Sequence, residues 1–274
     1  IRKIAVDGTV TTLAGDGYEF LWNGRLKNDN GTAASFNYPA GVVINPAGTS
    51  LYVADTNNHV IRRISLTAPY AVTTFAGSSS GWVDNTTGTS AKFNSPKGLA
   101  IDATGSFLYV ADSGSHRIRK INLSTTAVTT LAGSGSAGTT DATGTAATFN
   151  VPTGIALNAS GVLYVSDNTG RKIRRIDVST GVVTTLAGSG TAASTDGSGA
   201  AAAFNGPNGL TLDAAGNLYV AEETGNKIRL VTPSGVVSTL AGDGTAAATD
   251  GTGTAASFNA PAGIAAHPNG FLYV

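Results

Sequence analysis

The stretches Asn37-Tyr38-Pro39-Ala40-Gly41, Leu51-Tyr52-Val53-Ala54-Asp55, Asn58-His59 and Ile61-Arg62 decide the fold, because their pattern recurs along all 274 residues. A Phe-Asn pair leads each copy, at Phe36, Phe93, Phe149, Phe204 and Phe258, in steps of 57, 56, 55 and 54 residues. Leu-Tyr-Val begins in phase with it at Leu51, Leu108, Leu163, Leu218 and Leu272. An Ile-Arg step stands at Ile1, Ile61, Ile118, Ile173 and Ile228, and a Thr-Leu/Phe-Ala-Gly close at Leu13, Phe75, Leu131, Leu186 and Leu240. A regular period of this size marks a repeat architecture, in which each unit buries its apolar surface against the next.

One copy contains four β-prone runs, such as Gly41–Ile44, Leu51–Ala54, Val60–Ile64 and Val72–Phe75, separated by turn-forming residues. Asp102-Ala-Thr-Gly105 and Asp213-Ala-Ala-Gly216 predict tight hairpins, with an Asx acceptor first and glycine where φ turns positive. Four short antiparallel strands per unit predict an all-β fold, a β-propeller whose blades each cover both faces with a neighbour. The chain reads as a single propeller domain over 1–274. It holds an outer half-blade at 1–15, blades at 36–77, 93–133, 149–188 and 204–242, and an inner half-blade at 258–274.

The succession Asn37-Tyr-Pro-Ala-Gly41, Leu51-Tyr-Val-Ala-Asp55, Asn58-His59 and Ile61-Arg62 resembles the NHL repeat, and the resemblance runs through the whole chain. The copies are longer than the family's usual ones, and the surplus lies in the Gly/Ser/Thr/Ala-rich connection after each Ala-Gly. NHL propellers are most often six-bladed. Two readings therefore stand: a five-bladed ring closed by its two ends, or part of a larger propeller or repeat array. A start at Ile1, in mid-blade and without Met, favours a segment of a longer protein.

Composition excludes several function classes. With 17 basic and 17 acidic residues there is no charge excess to draw polyanions, and charged residues are only 12% of the chain. No apolar run is long enough to cross a bilayer as a helix, so membrane insertion is not expected. The absence of Cys removes disulfides and thiolate chemistry.

Thirteen of the 17 basic residues fall in the third-strand motif, among them Arg62, Arg119, Arg174 and Arg229. Each of these four follows an acidic residue by seven positions, Asp55, Asp112, Asp167 and Glu222, so structural pairing is expected ahead of an RNA-binding ring. That pairing and the missing aromatic stacking partners weigh against nucleic acid. His59 and His116 share one repeat position and His267 sits in a hairpin turn, so no zinc site, and no cofactor, is expected. A recurring Asp eight residues before Phe, at Asp141, Asp196 and Asp250, with Asn28 and Asn85 in the other copies, reads as an N-cap of a short helical turn. One carboxylate per loop is poor support for calcium.

The connections depart from small residues at Tyr18-Glu19-Phe20-Leu21-Trp22 and at Trp82. Tyr18, Phe20, Leu21, Trp22 and Trp82 either fold back over a blade edge or form an interaction surface. Asn30, Asn85, Asn122 and Asn158 begin N-glycosylation sequons. The resulting expectation is a non-catalytic scaffold or interaction module in an extracellular, cell-surface or appendage protein, contacting a protein partner or further copies of itself, with glycans permitted. The alternatives are a lactonase- or lyase-type propeller enzyme, or an RNA-binding NHL domain. The first strands Gly98–Ile101, Gly154–Leu157 and Gly209–Leu212 offer such an enzyme only small or aliphatic side chains.

Overall fold

Each full repeat lays its strands down in chain order as an antiparallel sheet. A computed structural model describes residues 1–17 and 26–274. The first blade is built from Pro39–Ile44, Ser50–Asp55, Val60–Ser65 and Ala71–Ala76. The second uses Pro96–Ile101, Phe107–Asp112, Arg117–Asn122 and Val128–Ala132. The third uses Pro152–Leu157, Val162–Asp167, Lys172–Asp177 and Val182–Ala187, and the fourth Pro207–Leu212, Leu218–Glu222, Lys227–Val231 and Val236–Ala241. Arg2–Ile4 with Val10–Thr12 makes one two-stranded sheet, and Ala265–Ala266 with Leu272–Tyr273 another. The fold is all-β, and among the described residues the helical pieces are three-residue 3-10 turns.

The predicted hairpins form as their residues dictate. Gly105 donates its N–H to Asp102 O, while Asp102 Oδ1 accepts from the N–H groups of Ser106 and Phe107. Gly105 has a φ of +68°, a region in which a Cβ would be strained. In register, Leu51 faces Ile64, Val53 faces Arg62 and Ala54 faces Ile61. A bulge falls between Ile61 and Arg62 against the fourth strand, and recurs at Ile173/Arg174 and Ile228/Arg229. An inserted residue of this kind re-aims side chains, here at the recurring Ile-Arg step.

Residues cluster into two compact units, Ile1–Ser115 with Arg119–Thr129, and His116–Ile118 with Thr130–Val274. In the first unit Tyr52 and Ile61 of one blade pack with Phe93, Leu99, Leu108 and Val110 of the next. The second repeats this with Tyr164 and Ile173 against Phe204, Leu210, Leu218 and Val220. Apolar residues therefore lie on both faces of a strand, because both faces are covered. Close approach of first strands rests on glycine. A Cβ on Gly154 would lie 2.2 Å from the backbone oxygen of Asn208, and one on Gly209 2.3 Å from that of Ala262.

Two features differ from the sequence expectation. The connections supply a short fifth strand to the outer edge in three blades, Asp29–Asn30, Ala142–Thr143 and Gly197–Ser198, which shields that edge. In the second blade the same place is held by a single bridge, Asn85 to Val128. The second difference concerns the recurring Asp. The 3-10 turns are present at Gly31–Ala33, Gly88–Ser90, Gly144–Ala146, Gly199–Ala201 and Gly253–Ala255, but Asn30, Thr87, Thr143, Ser198 and Thr252 precede them, with no side-chain cap bond. Asp141 and Asp196 are not N-caps, because their carboxylates are drawn to Arg174 and Arg229.

Candidate functional site

Among the described residues, Arg62, Arg119, Arg174 and Arg229 on the third strands are the largest fully buried side chains. Arg62 Nη1 donates to Asp55 Oδ2 and to Ser35 O, both at 2.9 Å, and Nη2 donates to Lys27 O and Asn28 Oδ1, again at 2.9 Å. Arg119 binds Asp112 at 3.0 Å and Lys92 O at 2.9 Å through Nη1, and Val83 O at 3.1 Å and Asp84 at 2.5 Å through Nη2. Arg174 takes Asp167 at 3.1 Å, Thr148 O at 2.9 Å, Thr140 O at 3.1 Å and Asp141 at 2.6 Å. Arg229 takes Glu222 at 2.9 Å, Ala203 O at 3.2 Å and Asp196 at 2.7 Å. The guanidinium carbons lie 5.0 to 5.5 Å from the ring centroids of Phe36, Phe93, Phe149 and Phe204. This is cation–π range.

The remaining oxygen of Asp55, Asp112 and Asp167 accepts the N–H of the Asn after that Phe, at Asn37, Asn94 and Asn150, whereas Glu222 accepts both Arg229 and the Asn205 N–H on Oε1. The planar fork of arginine suits such a site, since it satisfies several acceptors at fixed angles where lysine offers a point charge. In each of the four full blades Phe, Asn, an acidic residue and Arg thus form one buried cradle that ties the connection to its blade. Burial pushes the carboxyls of Asp112 and Asp167 up to about 6 against the pull of their arginines, and raises Glu222 likewise. With these four arginines inside the fold, none offers its charge to a phosphate backbone.

Asp84, not Asn85, occupies the second connection's place in the cradle. Counting back from Phe93 selects Asn85, but the loop has one residue more after the carboxylate than its relatives. Asn85 instead bonds Val128 backbone and accepts the Thr87 N–H. Asp250 is exposed. Burial works against ionisation of Asp141, yet the N–H of Thr185 and the Arg174 guanidinium hold its carboxyl below the usual range. That stabilisation is present above the ordinary carboxylate pKa and is lost as pH falls through the lowered one. Because the Asp141 side chain is 45% exposed, Asp141→Ala is expected to cost only about 1 kcal/mol in urea unfolding at neutral pH, with the difference from wild type vanishing in acid.

The interaction residues Tyr18, Phe20, Leu21 and Trp22 lie outside the described residues. Trp82 is 60% exposed and Val83 44%. With Ser80, Gly81, Asp84 and Lys92 they line an open pocket of about 440 Å³. The loop is held in place, since Gly81 N donates to Phe93 O at 3.0 Å and Lys92 N to Val83 O at 3.0 Å. Of the sequon residues, Asn122 and Asn158 spend their side-chain oxygens on the N–H groups of Ser124 and Ser160, and Asn30 is exposed.

The observed first strands begin earlier than Gly98, Gly154 and Gly209, and so contribute polar residues that the sequence reading missed. Asn208 donates to Glu223 at 2.7 Å, and the Thr153 and Ser166 hydroxyls lie 3.0 Å apart. The start of a strand hidden behind Pro left no signal there. Among the described residues no three His, Asp or Glu side chains gather as a metal site. No helix among them is long and apolar enough to cross a membrane.

Four-stranded antiparallel blades, packed against one another within each unit, define the class: this is a β-propeller fold. Residues 36–64 and 93–121 match the NHL repeat family model, so the chain carries NHL repeats at these two places. It is 31% identical over 187 residues to SUPPRESSOR OF QUENCHING 1 of Arabidopsis thaliana, covering 64% of this chain and 17% of that protein. It is 32% identical over 191 residues to human NHL repeat-containing protein 2, covering 65% of this chain and 26% of that protein. The chain therefore spans only a minor part of those relatives. A solved structure of an auxiliary nutrient binding protein from Bacteroides thetaiotaomicron shares the fold, with a TM-score of 0.65 and 18% identity over 85% of this chain and 55% of that one.

Proposed function

We propose that this propeller is a non-catalytic interaction scaffold that binds a protein partner or further copies of itself through its inter-blade connections. The observation that carries the reading is the contrast between a repeated cradle that consumes its own charges and an exposed Trp82–Val83 step anchored beside Lys92. Tryptophan supplies a large apolar face at low entropic cost, which suits an interface anchor. Tyr18, Phe20, Leu21 and Trp22 extend the same aromatic character in the preceding connection. The charge-poor, hydroxyl-rich loops and the absence of Cys and Met support a setting outside the cytoplasm, with Asn30 the most accessible of the candidate glycan sites.

Sedimentation across a concentration series, with chemical cross-linking in the natural host's extract, tests the surface. Trp22→Ala with Trp82→Ala is expected to abolish the self-association or the cross-linked partner band seen with the wild type. Contacts unchanged in the double variant would remove these residues from the interface.

A further inference from the structure

After the second strand the chain turns back through a residue in the left-handed region, and in the first, second and fourth blades this residue is His59 at φ +58°, His116 at +54° and Asn226 at +53°. Each uses its side chain for the same purpose. His59 Nδ1 accepts the N–H of Ser95 at 3.1 Å, His116 Nδ1 accepts that of Val151 at 3.1 Å, and Asn226 Oδ1 accepts that of Ala260 at 2.9 Å. The three donors are themselves left-handed, at φ +51°, +58° and +52°. For the β-branched Val151 that conformation is a genuine outlier, which persists only where surrounding bonds hold it.

We propose that His59 and His116 are acid-released fastenings that tie each repeat to the segment leading into the following first strand. A neutral imidazole with its proton on Nε2 presents Nδ1 as an acceptor, whereas a protonated ring has two donors and no acceptor. Protonation therefore turns each bond into a donor facing a donor. Asn226 makes the same bond with an amide oxygen that does not titrate in this range, so the chain carries its own acid-insensitive version.

The surroundings leave the imidazoles neutral. Near His59 the charged groups on the packed elements are the mutually paired Asp55 and Arg62, Arg63, whose Nε donates to Ser50 Oγ, and Lys97 on the facing first strand. Near His116 they are the Asp112–Arg119 pair and Arg117, while the segment 150–157 packed against it carries no charge. Burial lowers the pKa of both histidines, and Arg117 lowers that of His116 further. A histidine with a lowered folded-state value contributes stability that is complete above its unfolded pKa and is lost as pH falls through the folded one.

Amide exchange on the intact chain reads the bonds individually. Between about pH 7.5 and about pH 5, and after correction for intrinsic exchange, protection at Ser95 and Val151 is expected to fall relative to Ala260. Each histidine should also raise the unfolding constant by up to about tenfold per pH unit within its window. His59→Asn with His116→Asn, which installs the residue already present at position 226, should fold and lose that acid slope. The inference is overturned if Ser95 and Val151 keep pace with Ala260, or if the double variant retains the wild-type slope.

Discussion

Arg174→Ala is expected to destabilise the protein by about 3–5 kcal/mol at neutral pH, the cost of leaving a buried charge without its partner. Asp167 is fully buried and keeps only the Asn150 N–H once the guanidinium is gone, while the oxygens of Thr148 and Thr140 lose their donor. Chemical denaturation at several pH values checks this. Burial already raises the Asp167 carboxyl to about 6, and loss of Arg174 raises it further. A raised carboxyl adds stability at low pH that disappears as pH climbs through the raised value, so the variant should be nearer to wild type at pH 5 than at pH 8. Arg174→Met combined with Asp167→Leu should recover much of the loss, because a desolvated ion pair is often no more stabilising than apolar side chains of similar volume. A single variant that unfolds at the wild-type midpoint would show the cradle to be dispensable.

Gly154→Ala is expected to cost about 3 kcal/mol or more, although alanine is ordinarily the mildest of replacements. The added Cβ would stand 2.2 Å from Asn208 O and 2.9 Å from Ser166 Oγ, and backbone cannot swing aside as a flexible side chain can. Gly263 occupies the same place in the last repeat and has nothing within 4 Å of its virtual Cβ, so Gly263→Ala should fall within about 0.5 kcal/mol of wild type. Thermal unfolding of the two variants separates close strand packing from glycine's conformational freedom. Equal effects at both sites would refute the packing explanation.

Much of this architecture is legible in the chain because its determinants are local and periodic. Leu-Tyr-Val, the Asp-to-Gly hairpins and the Ile-Arg step each specify a strand or a turn from neighbouring residues alone, and repetition in phase identifies the blade. The pairing of Arg62 with Asp55 spans seven positions across one hairpin, which spacing can suggest. The bond from Arg174 to Asp141 spans 33 residues and depends on how a loop lies, so Asp141 reads locally as a helix cap. The same distance problem exchanged Asp84 for Asn85, where one residue shifts within a loop of unchanged length. The acceptor role of His59 and His116 exists only toward a backbone N–H some 35 residues ahead, so their repeat position does not disclose it.

What the amino-acid order alone determined is the unit: four short strands, their turns, the recurrence, and which residues recur together. What only the tertiary structure decided is how units are joined. The fifth edge strands, the three or four acceptors around each arginine, the glycine approach between first strands and the side-chain bonds from His59, His116 and Asn226 all come from segments that meet in space. The physical reason is the range of the forces involved. Backbone conformation and strand alternation respond to the nearest few residues, whereas desolvation and hydrogen-bond satisfaction are settled by whatever the packed chain brings to a buried group.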